Sequence, residues 1–278
     1  MVAWPSGKAG ACKAPIPQFE SGCHLLYIME LVLTIGNFHL KGALFEDGEI
    51  IAPFLLPLDF EQLKNLLSEK GVSRAFLSVV NLQKKGEATR LFEALSIPFS
   101  LFDPGQVKIT LDVDEPDVVP ADRIANVYGA LHHFPQNDCI VVDLGAAVTF
   151  DVIGSRGVYL GGAIYPGPHI GAEALASYSS ALTKVKAQIP EVTIGRTTEA
   201  EIQSGLYWGL LGAVERITSE LRLTLDSQSD LKIIATGGLI HHFAEGDFTQ
   251  NLSELVDLID PALTLLGLYE IMKEQKET

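Results

Sequence analysis

Two acidic residues stand where carboxylates could do chemistry. Asp143 closes the apolar run Cys139–Val142, and a carboxylate buried there without a partner would be costly, so a cation or a hydrogen-bond donor is expected beside it. Asp122 sits beside Arg123 at the start of the helical stretch Arg123 to Leu131, where an acid can cap the helix or take a proton from a bound hydroxyl. One carboxylate to accept a hydroxyl proton and another to fix a charge-neutralising cation are what phosphoryl transfer requires. Phosphate oxygens would also need short glycine turns, where backbone N–H groups can approach without a Cβ in the way. Ile35-Gly36-Asn37, Leu144-Gly145-Ala146 and Ala235-Thr236-Gly237-Gly238 qualify, and each reads equally as an ordinary turn. The third follows an apolar strand, at the carboxyl end where open α/β sheets bind ligands. The dense cluster Gly161-Gly162-Ala163-Ile164-Tyr165-Pro166-Gly167 is expected to line the same site. His132-His133 and His241-His242 are adjacent pairs without the i, i+4 spacing of helical metal ligands, so no transition-metal site is expected.

The elements that must position these residues come in two similar sets. Leu31 to Ile51 reads as strand, tight turn at Gly36-Asn37, strand, Asp47-Gly48 hairpin turn and strand. Ile140 to Gly161 reads the same way, and the two segments superpose at a constant offset of 109 residues, with Thr34 facing Asp143, Gly36 facing Gly145 and Gly48 facing Gly157. Helices alternating with strands follow each meander: a helix capped by Asp59, a strand at Ala75 to Val80, a helix at Lys85 to Leu95, then in the second half a long helix from Glu199 to Leu225, a strand at Leu231 to Ala235 and terminal helices at 252–258 and 262–273. Two α/β lobes are predicted, residues 29–135 and 136–278, with a nucleotide-sized cleft between them.

Composition sets the outer bounds. A chain of 278 residues with 47% hydrophobic and 20% charged residues has ample core material for one large or two ordinary domains. The net charge of −15 argues against nucleic acid or anionic membrane as partner, so an anionic small ligand would be held by local amides and cations. Three cysteines without a CxxC pair suggest neither zinc nor a disulfide framework and fit a reduced, cytoplasmic setting. Residues 1–28, rich in Pro, Gly and Ser without periodicity, read as a disordered leader, with Met29 a candidate start.

From Met29 to the last helix, the order of segments resembles that of the type III pantothenate kinases, which make 4′-phosphopantothenate from pantothenate and ATP in the first step of coenzyme A biosynthesis. The resemblance is carried by Thr34-Ile35-Gly36-Asn37, Asp114-Glu115-Pro116 leading to Ala121-Asp122-Arg123, and Val142-Asp143-Leu144-Gly145 through Thr149-Phe150-Asp151. It continues in the Gly161–Gly167 cluster, Ile194-Gly195-Arg196-Thr197-Thr198, Gln203-Ser204-Gly205 and Ala235-Thr236-Gly237-Gly238. It implies two tandem RNase H-like (actin-like ATPase) domains with an inter-domain cleft. It implies Asp122 as general base on the pantothenate hydroxyl, Arg123 and Thr198 as pantothenate-holding residues with Pro120, Ala121 and Val113 in the substrate wall, and Asp143 as ligand of a monovalent cation. ATP phosphates would be held by Thr34, Ile35, Gly36, Asn37, Phe38, His39, Leu40 and Lys41, by Gly145 and Ala146, and by Gly237 and Gly238. It further implies ATP with Mg2+ or another divalent cation, K+ or NH4+, and a homodimer. Thr34 replaces a family acid, Phe38 a threonine, Ala146 a phosphate-contacting hydroxyl and Pro120 a glycine, and Val113 stands where Tyr is frequent. Those departures keep open a second reading, a weakened or inactive relative acting as a regulatory or accessory binding protein; Asp151, in the second meander, is a candidate replacement for the missing acid.

Overall fold

The computed structural model describes residues 29–36, 39–154, 156–179, 181–225, 230–243 and 247–275; the expected leader, and the expected phosphate contacts of Asn37 and Phe38, lie outside them. The chain divides into two compact units at Asp103/Pro104.

The first unit comprises β1 (Met29–Ile35), β2 (His39–Glu46), β3 (Glu49–Pro57), α1 (Phe60–Ser68), β4 (Val72–Val79), α2 (Lys85–Ala94) and β5 (Phe99–Leu101). The hairpin between β2 and β3 turns on Asp47 and Gly48, both at positive φ (49° and 91°), the geometry that matches the twist of antiparallel strands. Asp59 caps α1 by accepting from the amides of Glu61 (2.9 Å) and Gln62 (3.3 Å). The strands lie in the order β3-β2-β1-β4-β5, with β1 antiparallel to β2 and parallel to β4. Leu31, Leu33, Ile35, Leu40 and Leu44 of the meander pack with Leu63 and Leu67 of α1 and with Ala88 and Phe92 of α2. Period-two alternation on the strands meets the apolar stripe of each helix.

The second unit comprises β6 (Thr110–Leu111), α3 (Ala121–His133), β7 (Cys139–Leu144), β8 (Ala147–Gly154), β9 (Val158–Pro166), α4 (Pro168–Tyr178), α5 (Thr198–Thr224), β10 (Lys232–Thr236), α6 (Leu239–His242), α7 (Phe248–Ser253), β11 (Leu258–Ile259) and α8 (Leu263–Glu274). Residues 104–135, read from the sequence as the end of the first lobe, belong here: β6 pairs with β9, and α3 packs on α8. The sheet order is β11-β10-β7-β8-β9-β6, so β9-β8-β7-β10-β11 repeats β3-β2-β1-β4-β5 strand for strand, with the same parallel and antiparallel pairings. The duplication therefore extends past the meanders to whole sheets. It is not gapless: β1 and β7 end 109 residues apart (Ile35, Leu144), β2 and β8 begin 108 apart (His39, Ala147), and β3 and β9 begin 109 apart (Glu49, Val158). A first turn shorter by one residue is offset by a second turn longer by one.

Both faces of the second sheet are covered, which is why its central strand is an almost unbroken apolar run. Ile140, Val142 and Leu144 face Tyr207, Leu210 and Val214 of α5, whereas Cys139, Val141 and Ile234 face Val127 and Ala130 of α3 and Leu263 of α8. Helices α3 and α8 approach at glycines: a Cβ at Gly129 would lie 2.6 Å from the Leu263 carbonyl oxygen, and one at Gly267 would lie 1.7 Å from that of Ala125. The cluster Gly161–Gly167, expected to line the site, is largely strand β9, with Gly161 at φ 89° beside the register shift against β8. One expectation is corrected. The helix expected at 252–258 ends at Ser253, and the chain then extends into β11, where the Asp257 carboxylate and amide bind the backbone of Ile233 on β10.

Candidate active site

Helix α3 starts at Ala121 behind Pro120, whose fixed φ suits the N-cap position but whose side chain caps nothing. Asp122 thus lies within the first turn instead of capping it, its Oδ1 accepting from the Arg123 amide (2.9 Å), with its side chain exposed. Arg123 turns inward. Its Nε donates to Oδ1 of Asp151 (2.5 Å), and its guanidinium carbon lies 5.6 Å from the centroid of the Tyr159 ring. Nη2 of Arg123 is buried and has no hydrogen-bond acceptor among the described residues.

Asp151 points from β8 to the α3 face of the sheet and has no exposed surface. Its Oδ1 also accepts from the Tyr159 hydroxyl (3.2 Å), and its Oδ2 lies 3.5 Å from Nδ2 of Asn126. Burial raises its pKa to about 6, with the Arg123 guanidinium pulling the other way. Burial beside that carboxylate raises the pKa of the Tyr159 hydroxyl above the usual phenol range, so Tyr159 remains a donor. Asn126, fully buried one turn after Asp122, reaches Oδ2 of Asp143 (3.4 Å) as well and accepts from Thr264 Oγ1 of α8 (2.9 Å). A single amide thereby ties both strand acids to the helix that carries Asp122 and Arg123.

Asp143 is half-buried at the end of β7, beside two of the expected turns. Gly237 adopts φ 106°, and a Cβ on it would fall 2.6 Å from Oδ1 of Asp143 and 2.5 Å from the Leu144 amide nitrogen. Only glycine permits both that backbone angle and that approach. The Gly145 Cα faces the same oxygen, with its Cβ position 3.8 Å away, and its amide bonds the Asp143 carbonyl (3.1 Å). Thr236, paired with Asp143 across the sheet, keeps a buried hydroxyl with no hydrogen-bond partner among the described residues. A carboxylate oxygen among backbone turns and an unused hydroxyl make an oxygen-rich setting of the kind hard cations take. Among the described residues no group of three or more His, Cys, Asp or Glu could hold a metal, and no helix is long and apolar enough to cross a membrane.

The family profile for type III pantothenate kinase matches residues 30–220, more than half of the chain. The chain belongs to the type III pantothenate kinase family. Relatives within it include the type III pantothenate kinases of Rhodospirillum centenum (38% identical, covering 73% of this chain and 77% of the relative), Paramagnetospirillum magneticum (31%, 87% and 96%) and Sphingopyxis alaskensis (31%, 90% and 99%). The ROK hexokinase of Thermus thermophilus (TM-score 0.52, 15% identical, covering 90% of this chain and all of that one) shares the fold. So does the activator of the 2-hydroxyisocaproyl-CoA dehydratase of Clostridium difficile (TM-score 0.51, 12% identical, 90% and 98%). The fold is that of paired RNase H-like domains seen in the actin-like ATPase and sugar kinase superfamily.

Of the residues the family pattern singles out, the second unit brings together Asp122, Arg123, Asp143, Gly145 and Gly237 around Asn126. Ala146 is exposed in the turn after β7, its carbonyl accepting from Gly167, and Gly238 precedes α6. Val113 packs on the apolar cluster between α3 and the sheet, near Gly161. Thr198 lies elsewhere: it opens α5 after the capping Thr197 and lines a groove of about 400 Å³ with Leu175, Leu182, Ile202 and Leu206. In the first unit Thr34 and Ile35 end β1, the Gly36 amide bonds the His39 carbonyl (3.0 Å), and His39, Leu40 and Lys41 begin β2. Sequence reading missed Asn126, Tyr159 and Thr264. A polar residue at an inward position of an otherwise apolar helix face, Ile124-Ala125-Asn126-Val127, was the available signal for Asn126. Asp151 does not read as a substitute for the acid missing at Thr34, because its carboxylate is engaged by Arg123, Tyr159 and Asn126.

Proposed function

We propose that the protein transfers the terminal phosphoryl group of ATP to the primary hydroxyl of pantothenate. The observation that carries this reading is the division of labour on the first turn of α3: an exposed carboxylate, Asp122, directly beside an arginine anchored from behind by a buried acid. Asp122 accepts the hydroxyl proton as the oxygen attacks phosphorus, and Arg123 holds the anionic substrate, walled by Pro120, Ala121 and Val113; Thr198, which lies apart from these residues within the chain, would reach the substrate from the second copy of a homodimer. The turns at Gly145-Ala146 and Gly237-Gly238, together with Thr34–Lys41, are the segments that the family pattern assigns to the nucleotide phosphates. The oxygen-rich surroundings of Asp143 fit K+ or NH4+, which would add a positive charge near the phosphates. A divalent cation such as Mg2+ would arrive with the nucleotide, since it binds chiefly through phosphates and water. A homodimer working in the cytoplasm completes the proposal. A second reading, a weakened or non-catalytic relative with a regulatory role, is favoured by Thr34 and Ala146, which lack the acid and hydroxyl that the family pattern supplies.

The deciding experiment is transfer of phosphate from ATP to labelled pantothenate by the purified protein with magnesium, with and without potassium. Product that requires potassium, and that falls by about 10²–10⁴-fold in Asp122→Asn with unchanged circular dichroism, supports the enzyme. No product from a folded dimer under any of these conditions rejects it in favour of the binding protein.

A further inference from the structure

We infer that Asp151, assisted by the Tyr159 hydroxyl, is the positioning group that aims Arg123 at the substrate; this rests on the pantothenate-binding reading above. Asp151 contacts Arg123 through Nε, the side nitrogen of the guanidinium. The same Asp151 oxygen takes the Tyr159 hydroxyl, and the Tyr159 ring lies against the guanidinium, so charge and orientation are set together. Nη2 is left buried and, among the described residues, without an acceptor. A buried donor without a partner is unfavourable, so its retention points to an acceptor that arrives from outside. A planar guanidinium held at one nitrogen and offering another suits an incoming carboxylate, which pantothenate carries.

A positioning role separates substrate binding from nucleotide binding, which a purely structural pair does not. The test compares the wild type with Asp151→Asn, Tyr159→Phe, Arg123→Met and the double variant Asp151→Asn/Arg123→Met. It measures pantothenate Kd by calorimetry, KM for each substrate, kcat and thermal unfolding. Asp151→Asn is expected to weaken pantothenate binding by about ten-fold or more in Kd and KM, with KM for ATP moving less than about two-fold. Tyr159→Phe is expected to move the same quantities in the same direction by less. In the Arg123→Met background Asp151→Asn is expected to add no further loss of pantothenate affinity, because the residue through which it acts is gone. Unchanged Kd in folded Asp151→Asn overturns the inference, as does a parallel rise in both KM values, or losses that add in the double variant. Should Asp151→Asn fail to fold, Tyr159→Phe decides, and an unaltered pantothenate Kd there overturns it. A wild-type protein that does not bind pantothenate overturns this inference and the proposed function together; one that binds and phosphorylates it while the variants stay unmoved overturns the inference alone.

Discussion

The two sheets share a strand order and differ in charge. Thr34 ends β1 opposite Ser78 of β4, where Asp143 ends β7 opposite Thr236 of β10. Ala43 lies across from Val32 in the first unit, and at the corresponding place Asp151 lies across from Val141. Thus two neutral positions of one sheet are acids in the other, and the second unit supplies Arg123, Asn126, Tyr159 and Thr264 to accommodate them. Topology was duplicated whole, whereas the polar network was built once. Burying a carboxylate requires partners from several elements, and those partners come from α3, β9 and α8.

That contrast can be broken by moving a charge. Ala43→Asp places a carboxylate at a fully buried position that a methyl group now fills, and is expected to cost about 3–5 kcal/mol of stability, read as a lower midpoint in urea unfolding. Next in size is a pH effect confined to the second unit. Because the Asp151 pKa is raised from 3.8 to about 6, the folded chain keeps a proton that the unfolded chain releases between those values. Its contribution is therefore fully present below about pH 4 and lost as pH rises through about 6, a decline of roughly 2–3 kcal/mol. Unfolding measured across that range should show the decline in the wild type, and Asp151→Asn should flatten it. The smallest expected change sharpens the comparison at its other end: Thr34→Asp restores an acid at the half-buried end of β1 and should raise turnover by about ten-fold, or about 1.4 kcal/mol of barrier, with little change in stability. Unchanged turnover would mean that the missing acid's work is done elsewhere.

What the sequence made legible was local. Alternation and the Asp47-Gly48 and Gly157 turns located both meanders, and Asp59 marked the start of α1. Asp143 was recognisable as an acid closing an apolar strand, and Asp122-Arg123 as a charged pair opening a helix. Less legible was anything decided by contacts distant in the chain. The unit boundary was placed late because the pairing of β6 with β9 leaves no mark in residues 104–135. The role of Asp151 depends on Arg123, and that of Asn126 on Thr264, 138 residues away. Nor could β11 be told from a helix, since two residues are too few to display a period.

The bond from Thr264 to Asn126 has a consequence for how the protein comes into being. The first sheet is complete once residue 101 has left the ribosome, so that unit can fold while the rest is still being made. The second unit's central strand must wait for β10, and the helix bearing Asp122 must wait for α8 to supply Thr264 and the close seat at Gly267. Until α8 has been made, Asn126 lacks the Thr264 partner that anchors it, so the nascent chain acquires its complete acid network only after that helix emerges.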